Sequence, residues 1–435
     1  MKRQMAYLIS LLCLGLLFSC EQNKQPYQSD KEEKKNTTMQ RNLTAEQILS
    51  NPDYLAISYG GYRKETRDIQ PTIDELKEDL KIIHAMGIKI LRTYNVRLPH
   101  ASNVLKAIHQ LKQEDDKFEM YVMLGAWIDC KNAWTELPIN HFEESEENAS
   151  EIERAVELAK EYQDIVKIIA VGNEAMVKWA AAYYVQPKTI LKWVKYLQNL
   201  KSAGDLNQDL WITSSDNFAS WGGGDAQYHT EDLNQLIAEV DYLSIHTYPM
   251  HDTHYNPIFW GTSADEAKLG NLKKIDLAMS RSLNYAVSQY DSVVNYMKSQ
   301  QIEKPVHIGE TGWASVSSGL YGAKGSKATD EYKQALYYQK MRTWSKENKV
   351  ACFYFQAFDE PWKDPHNPSG SENFFGLFTV EGKAKYALWN QVDQGVFNSL
   401  KRGENPVQKT YNGKLENLLL EVDMPPVRKE MNVNH

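Results

Sequence analysis

Short β-rich apolar runs alternate with amphipathic helical stretches along the chain, and this alternation restricts the fold more than any other feature of the sequence. Several runs are continuously apolar, which is typical of parallel strands buried on both faces. Eight such strands with helices between them predict an α/β fold, a single (β/α)8 TIM barrel. The predicted strands are residues 55–59, 88–94, 120–127, 166–173, 210–215, 242–247, 305–310 and 351–358.

The segments between these strands carry helix signals. Thr72 and Glu75 have the spacing of a capping box, and apolar residues recur on one helical face from Ile73 to Ile83. A doubly wound open sheet is the alternative fold, but no G-x-G-x-x-G motif follows the first strand. We therefore expect residues 42–435 to form one barrel domain with a C-terminal extension.

The N-terminal residues resemble a bacterial lipoprotein signal. A basic start precedes an apolar stretch, residues 8–18, that is too short to span a bilayer, and a small residue then precedes Cys20. We expect residues 1–19 to be a signal peptide and Cys20 to be lipidated. Residues 20–41 would then be a disordered tether to the outer membrane or cell surface. The alternative is an ordinary secretory signal with a chance cysteine.

Charge and cysteine content exclude several classes of protein. The 49 Lys and Arg residues against 57 Asp and Glu residues leave a formal net charge of −8, and no block of five basic residues occurs, which argues against nucleic-acid binding. Four cysteines without a C-x-x-C motif argue against a disulfide scaffold and a structural zinc site. Cys130 and Cys352 fall at opposite ends of the predicted barrel, so we expect free thiols. We expect a monomer.

Two glutamates directly follow apolar strands, Glu174 after the fourth and Glu310 after the seventh. Both therefore face the C-terminal rim of the barrel, where TIM-barrel active sites lie. Burying a carboxylate there is costly unless the group is hydrogen-bonded or used, although two rim carboxylates paired with Lys or Arg remain an alternative. One neutral and one ionised Glu can cleave a glycosidic bond with retention, and the Asn173 amide can bond the sugar 2-OH. Such chemistry needs no cofactor.

These motifs resemble glycoside hydrolase family 17, the β-1,3-glucanase family of retaining (β/α)8 enzymes, over residues 54–389. The resemblance implies that Glu174 is the acid/base and Glu310 the nucleophile. It also implies that a set of strand-end residues lines the site, namely Tyr59, Tyr94, Tyr248, Glu360, Lys363 and Glu372. The sequence departs from plant members at Ala314, where Pro is usual, and in longer segments after Lys363 and after Pro249.

Seven of the eleven tryptophans lie at or after strand ends, and sugar rings pack their C–H faces on indoles. We expect Trp127, Trp179 and Trp313 to contact substrate. The segment from His251 to His254, with His246 nearby, could form a metal site. Loop residues without fixed spacing are weak grounds for one, so we expect polar or substrate contacts and no metal.

The sequence therefore predicts a lipid-anchored glycosidase that cleaves β-1,3-glucan of the laminarin type within the chain. Its partners would be the glucan and, through the N-terminal lipid only, a membrane. A β-1,3-glucanosyltransferase with the same residues is one alternative, because the intermediate can pass to sugar instead of water. A catalytically silent surface glycan-binding lipoprotein is the other, although the presence of both glutamates disfavours it.

Overall fold

The computed structural model describes residues 43–428, and eight of its strands close into a parallel barrel. The strands in chain order are β1 Leu55–Ser58, β2 Ile88–Arg92, β3 Tyr121–Ala126, β4 Cys130–Lys131, β5 Asn140–Glu144, β6 Val166–Asn173, β7 Trp211–Asn217, β8 Leu243–His246, β9 Val306–Gly312, β10 Cys352–Phe355, β11 Lys401–Arg402 and β12 Asn405–Pro406. Neighbours in the barrel follow the order β1, β2, β3, β6, β7, β8, β9, β10 and back to β1, which confirms the predicted (β/α)8 fold.

Helices follow the barrel strands and pack around them. The helix α2 begins at Thr72, whose hydroxyl accepts from the Glu75 amide while the Glu75 carboxylate accepts from the Thr72 amide, so the predicted capping box is confirmed. The α-helices are α1 Ala45–Leu49, α2 Ile73–Ala85, α3 His100–Glu114, α4 Glu147–Glu161, α5 Pro187–Ala203, α6 Glu231–Glu239, α7 Pro249–Tyr255, α8 Asn271–Ser299, α9 Glu331–Asn348, α10 Trp389–Asp393 and α11 Leu415–Leu420.

The strands are buried on both faces, which explains their continuous apolar sequences. One cluster, which includes Ala56, Ile90, Met123, Ile168 and Phe353, comes from alternate strand positions, and α1 packs onto it. A much larger cluster lies between the strands and the helices. Side chains therefore fill the interior of the barrel, so an active site is expected at its C-terminal rim.

Several short parts of the fold were not predicted from the sequence, among them α1. The β4–β5 hairpin follows β3, and α7 occupies the start of the long segment after Pro249. The C-terminal extension includes the β11–β12 hairpin and α11. These elements consist of only two to seven residues, too short for a clear apolar period.

Cys130 and Cys352 are both buried and unpaired, as predicted. The expected signal peptide, Cys20 and tether lie outside residues 43–428. Within that range no helix is both long and apolar enough to cross a membrane.

A buried ion pair joins the C-terminal extension to the barrel. The Arg402 guanidinium donates from Nε to Asp79 Oδ1 (2.9 Å) and from Nη2 to Asp79 Oδ2 (3.0 Å). Arg63 Nη2 and the Tyr59 hydroxyl also donate to this carboxylate. Asp79 on α2 and Arg402 on β11 are 0% and 2% exposed, so the charge of Arg402 depends on Asp79 for compensation, whereas Asp79 is shared between Arg402 and Arg63.

Replacing Asp79 by Ala should lower the free energy of unfolding by about 3–5 kcal/mol, because Arg402 would remain buried without its bidentate partner. Urea unfolding followed by circular dichroism measures this change. Lys346→Ala is the control, since the Lys346–Asp53 pair is exposed and should contribute less than about 1 kcal/mol. Equal effects of the two variants would contradict the assignment.

Candidate active site

Glu174 is aimed by a local irregularity at the end of β6. The pairing of β6 with β7 shifts register between Ala170 and Asn173, and Gly172 has φ +81°. A Cβ on Gly172 would lie 2.9 Å from Ala175 Cβ, so only glycine fits. Glu174 itself has φ +46°, a strained conformation for a non-glycine residue of the kind found at functional sites.

Glu310 lies in β9 and follows a glycine that permits close packing of the strands. A Cβ on Gly309 would come within 2.0 Å of Ser244 Oγ and 2.5 Å of Ser215 Oγ. Any larger residue would collide with these two serine side chains, which come from β8 and β7. The backbone thus holds Glu310 at the same rim of the barrel as Glu174.

Three donors hold the Glu310 carboxylate. Arg92 Nη1 donates to Oε2 at 2.5 Å, the Tyr94 hydroxyl to Oε2 at 2.8 Å and the Tyr248 hydroxyl to Oε1 at 2.6 Å. Burial alone would raise the pKa of Glu310, but the charge of Arg92 and the hydrogen bonds from the two hydroxyls favour the ionised form, and the pKa lies below its ordinary value. Glu310 is therefore an anion at neutral pH.

Arg92 was not among the residues predicted from the sequence, yet it joins the two strand ends. Its Nη1 also donates to the Gly309 carbonyl (2.8 Å), and its Nη2 donates to Asn173 Oδ1 (2.5 Å). Because the amide oxygen of Asn173 accepts from Arg92, the NH2 group of the same amide faces away from Arg92 and can donate to a ligand. The only signal in the sequence was a charged residue among apolar neighbours in the second strand.

Glu174 is in the opposite protonation state. Burial and the charge of Glu310 raise the pKa of Glu174 to about 8, so this carboxyl is mainly protonated at pH 7. His246 Nδ1 lies 3.1 Å from Glu174 Oε1, and its Nε2 lies 2.8 Å from Ser215 Oγ. Burial lowers the pKa of His246 to about 4, so the ring that positions Glu174 is neutral.

A cleft of about 660 Å³ opens over Asn173 and Glu310. Of the residues predicted to bind substrate, it is also lined by Tyr59, Tyr94, Trp127, Glu360, Lys363 and Glu372. Tyr248 contacts the Glu310 carboxylate directly. Most of the predicted set is thus brought together around Glu310.

Glu360 and Lys363 form one wall of this cleft. Glu360 is 2% exposed, and its carboxylate accepts from the Tyr62 amide (3.3 Å) and Trp362 Nε1 (3.1 Å). Lys363 Nζ lies 3.9 Å from Glu360 Oε2 and 4.5 Å from the centre of the Phe355 ring. This wall presents charged and aromatic groups side by side, as sugar-binding surfaces require.

The prediction that Trp313 contacts substrate is wrong. Trp313 is 0% exposed, its ring packs on Trp260 and Tyr337, and its Nε1 donates to the Ala328 carbonyl at 2.8 Å. A residue at a strand end can point behind the rim, and here the indole packs under the neighbouring loops. Trp179 is 63% exposed but is not among the residues that line the cleft.

After β8, His251 packs against aromatic side chains beside the active site. The His251 ring stacks on Tyr248 with centroids 5.2 Å apart, and its Nε2 lies 3.8 Å from Glu372 Oε1. Within residues 43–428, no group of three His, Cys, Asp or Glu side chains is arranged to hold a metal ion. His251 therefore contributes packing beside Glu310.

The arrangement combines a neutral acid, Glu174, with a buried carboxylate anion, Glu310, that lines the cleft and whose charge acts on Glu174. Such a pair can protonate a leaving oxygen while the anion attacks an electrophilic carbon. The cleft walls carry aromatic rings and hydrogen-bonding groups that suit a polyhydroxylated ligand.

Comparisons with known proteins agree with this chemistry. Residues 56–376 match the BtgE/BtgC glycoside hydrolase domain. The crystal structure of an endo-laminarinase from Formosa Hel1_33_131 is 70% identical to this chain, with a TM-score of 0.89, over 90% of this chain and 100% of that chain.

More distant similarities extend to fungi. The glucan endo-1,3-beta-glucosidase btgC of Emericella nidulans is 22% identical over 305 residues, 68% of this chain and 39% of that protein. The chain spans 37% to 42% of the length of its Aspergillus btgC relatives. The glycoside hydrolase family 17 β-1,3-glucanosyltransferase of Rhizomucor miehei shares the fold at 18% identity and a TM-score of 0.53, over 77% of this chain and 96% of that chain.

Replacing Glu310 by Gln should lower the pKa of Glu174 from about 8, because a negative charge that disfavours ionisation of Glu174 is removed. Carbon-13 NMR titration of side-chain carboxyls measures the shift, with Glu174→Gln identifying the resonance. Glu416→Gln, on the exposed face of α11, is the control and should leave the titration unchanged. An unchanged Glu174 titration in Glu310→Gln would show that the two groups do not interact.

Proposed function

Because the chain belongs to the BtgE/BtgC glycoside hydrolase domain family, we propose that it hydrolyses internal linkages of β-1,3-glucan with retention of configuration. The observation that carries the proposal is the geometry of the two glutamates: Glu310 lines the cleft and is held by Arg92, Tyr94 and Tyr248, and Glu174 is held by His246 close enough for the charge of Glu310 to raise its pKa. The family 17 pattern of strand-end residues and the similarity to an endo-laminarinase support the substrate and the internal mode of attack.

In the first step, Glu174 donates its proton to the glycosidic oxygen. The Glu310 carboxylate attacks the anomeric carbon, the bond to the leaving sugar breaks, and a glycosyl ester forms on Glu310. Retaining enzymes carry out this step with carboxyl groups about 5–5.5 Å apart. The Asn173 NH2 group, oriented by Arg92, donates to the sugar 2-OH.

In the second step, Glu174 acts as a base. The ester neutralises Glu310, so the charge that raised the pKa of Glu174 disappears and its proton-free form becomes stable. Glu174 then takes a proton from water, the water oxygen attacks the anomeric carbon, and Glu310 leaves as a carboxylate. Both inversions together retain the configuration.

The neighbouring groups support the anion. Tyr94, Tyr248 and Arg92 hydrogen-bond Glu310 before attack and hold the released carboxylate afterwards. Glu360, Lys363 and Glu372 would bind sugar hydroxyls along one wall, and Trp127 would pack against a sugar face. These contacts orient the chain so that one linkage lies at the two glutamates.

We also propose that Cys20 anchors the enzyme to a membrane, with the outer membrane or cell surface as its site. The support is the signal-like sequence of residues 1–19 and the polar segment that follows. Surface anchoring would place the cleft where large glucans are accessible.

Replacing Cys20 by Ala should move the protein from the membrane fraction to the soluble fraction, because the lipid attachment point is lost. Fractionation with immunoblotting, and mass analysis of the N-terminal peptide, measure the change. Cys13→Ala is the matched control, since that cysteine lies within the expected signal peptide. Retention of Cys20→Ala in membranes would contradict lipid anchoring.

Replacing Glu174 or Glu310 by Ala should each lower the rate of laminarin hydrolysis by at least about a hundredfold. On a β-1,3-gluco-oligosaccharide with a dinitrophenolate leaving group, which departs without protonation, azide, a small nucleophile, should restore turnover in both variants and give products of opposite configuration. Glu174→Ala should yield the β-glucosyl azide, because azide replaces water in the second step. Glu310→Ala should yield the α-glucosyl azide by direct displacement, and proton NMR distinguishes the two.

Glu416→Gln serves as the control and should retain full activity. Identical azide products from both variants would contradict the assigned roles. Longer products at high oligosaccharide concentration would instead indicate glucanosyl transfer, and binding without cleavage by the unaltered protein would indicate a glycan-binding protein.

A further inference from the structure

Trp134 is a large exposed aromatic residue that the loop between β4 and β5 holds in place. Its side chain is 62% exposed, and its backbone has φ +62°. Asn132 stabilises this turn, because its Nδ2 donates to the Pro138 carbonyl (2.7 Å) and its own carbonyl accepts from the Thr135 amide and hydroxyl. The backbone of Trp134 is therefore held by the turn, although its side chain is exposed to solvent.

The Trp134 ring is also fixed by its neighbours. It stacks on Tyr183 with centroids 5.1 Å apart and planes 24° apart, and Tyr183 in turn contacts Trp127 at 5.2 Å. Asp129, which is 4% exposed, accepts from both indoles, Trp127 Nε1 at 2.5 Å and Trp134 Nε1 at 3.2 Å. The N–H group of the Trp134 indole is thus hydrogen-bonded to Asp129 and one face of the ring is covered by Tyr183, which leaves the other face available to a ligand.

This aromatic group belongs to the cleft but not to the catalytic pair. Trp134 and Trp127 line the same cleft as Glu310, and the charge of Glu174 contributes to raising the pKa of Tyr183, after burial itself. None of the described hydrogen bonds joins Trp134 to either glutamate. Trp134 is therefore a wall residue of the cleft and not one of the groups that hold the two glutamates.

We propose that Trp134 is a platform for a glucosyl residue remote from the cleaved linkage, so that the enzyme selects longer β-1,3-glucan chains. A sugar ring places its C–H face on an indole without disturbing the ring's own hydrogen bond. The platform is preorganised by Tyr183 and Asp129, so little side-chain entropy is lost on binding. The inference rests on the proposed function and specifies which chain lengths that function favours.

The same hairpin exposes Leu137 and Phe142, which are 62% and 71% exposed. An apolar hairpin could instead serve as a contact for another protein. Neither residue lines the cleft, whereas Trp134 does. The position of Trp134 in the cleft therefore favours the glucan, and Phe142→Ala becomes a matched control for the hairpin.

Binding of β-1,3-gluco-oligosaccharides of two to eight units, measured by calorimetry in the full-length Glu310→Gln protein, tests the platform. Affinity should increase about tenfold at the length that first reaches Trp134, in line with the energy of an aromatic contact. Adding Trp134→Ala to this protein should abolish the increase in affinity, while adding Trp134→Phe should preserve most of the increase. Adding Phe142→Ala should leave the increase unchanged.

Two outcomes would overturn the inference. One is an unchanged length dependence in Trp134→Ala. The other is an equal loss in Phe142→Ala, which would indicate that the hairpin as a whole matters. Failure of the proposed function is distinguishable, because the unaltered protein would then release no reducing ends from laminarin.

Discussion

The buried positive charge of Arg92 is the interaction on which the site depends. Arg92 is 1% exposed, and a guanidinium in such a place is costly unless anions and acceptors surround it. Glu310, the Gly309 carbonyl and the Asn173 amide provide that surrounding. Arg92 on β2 thus connects the ends of β6 and β9 across the mouth of the barrel. Its positive charge also stabilises the ionised form of the buried Glu310 carboxylate.

Ionisation of Glu310 in turn determines the state of Glu174. Glu310 is buried and Glu174 is partly buried, but only Glu310 has strong donors, whereas Glu174 has the neutral ring of His246. The negative charge of Glu310 raises the pKa of Glu174, so two chemically identical side chains become one anion and one acid. The barrel contributes by bringing these groups to one rim from strands far apart in sequence.

The sequence predicted the barrel and its two glutamates because both depend on local patterns. Continuous apolar runs indicate strands buried on both faces, and a Glu after such a run must lie at a strand end. The sequence did not predict Arg92 or His246 as partners, because periodicity does not show which side chains meet across a barrel. It misplaced Trp313, since a strand-end indole can turn outward beneath a loop as easily as inward. The β4–β5 hairpin was missed because its strands are too short for a period.

The pairing of Asp79 with Arg402 has a consequence for biosynthesis. The two residues are separated by more than three hundred positions, yet the carboxylate lies on α2, near the start of the domain. Until Arg402 has been synthesised, Asp79 has only Arg63 and Tyr59 as partners among the residues that contact its carboxylate in the folded domain. A chain that ends before β11 therefore lacks the guanidinium that forms the bidentate pair with α2.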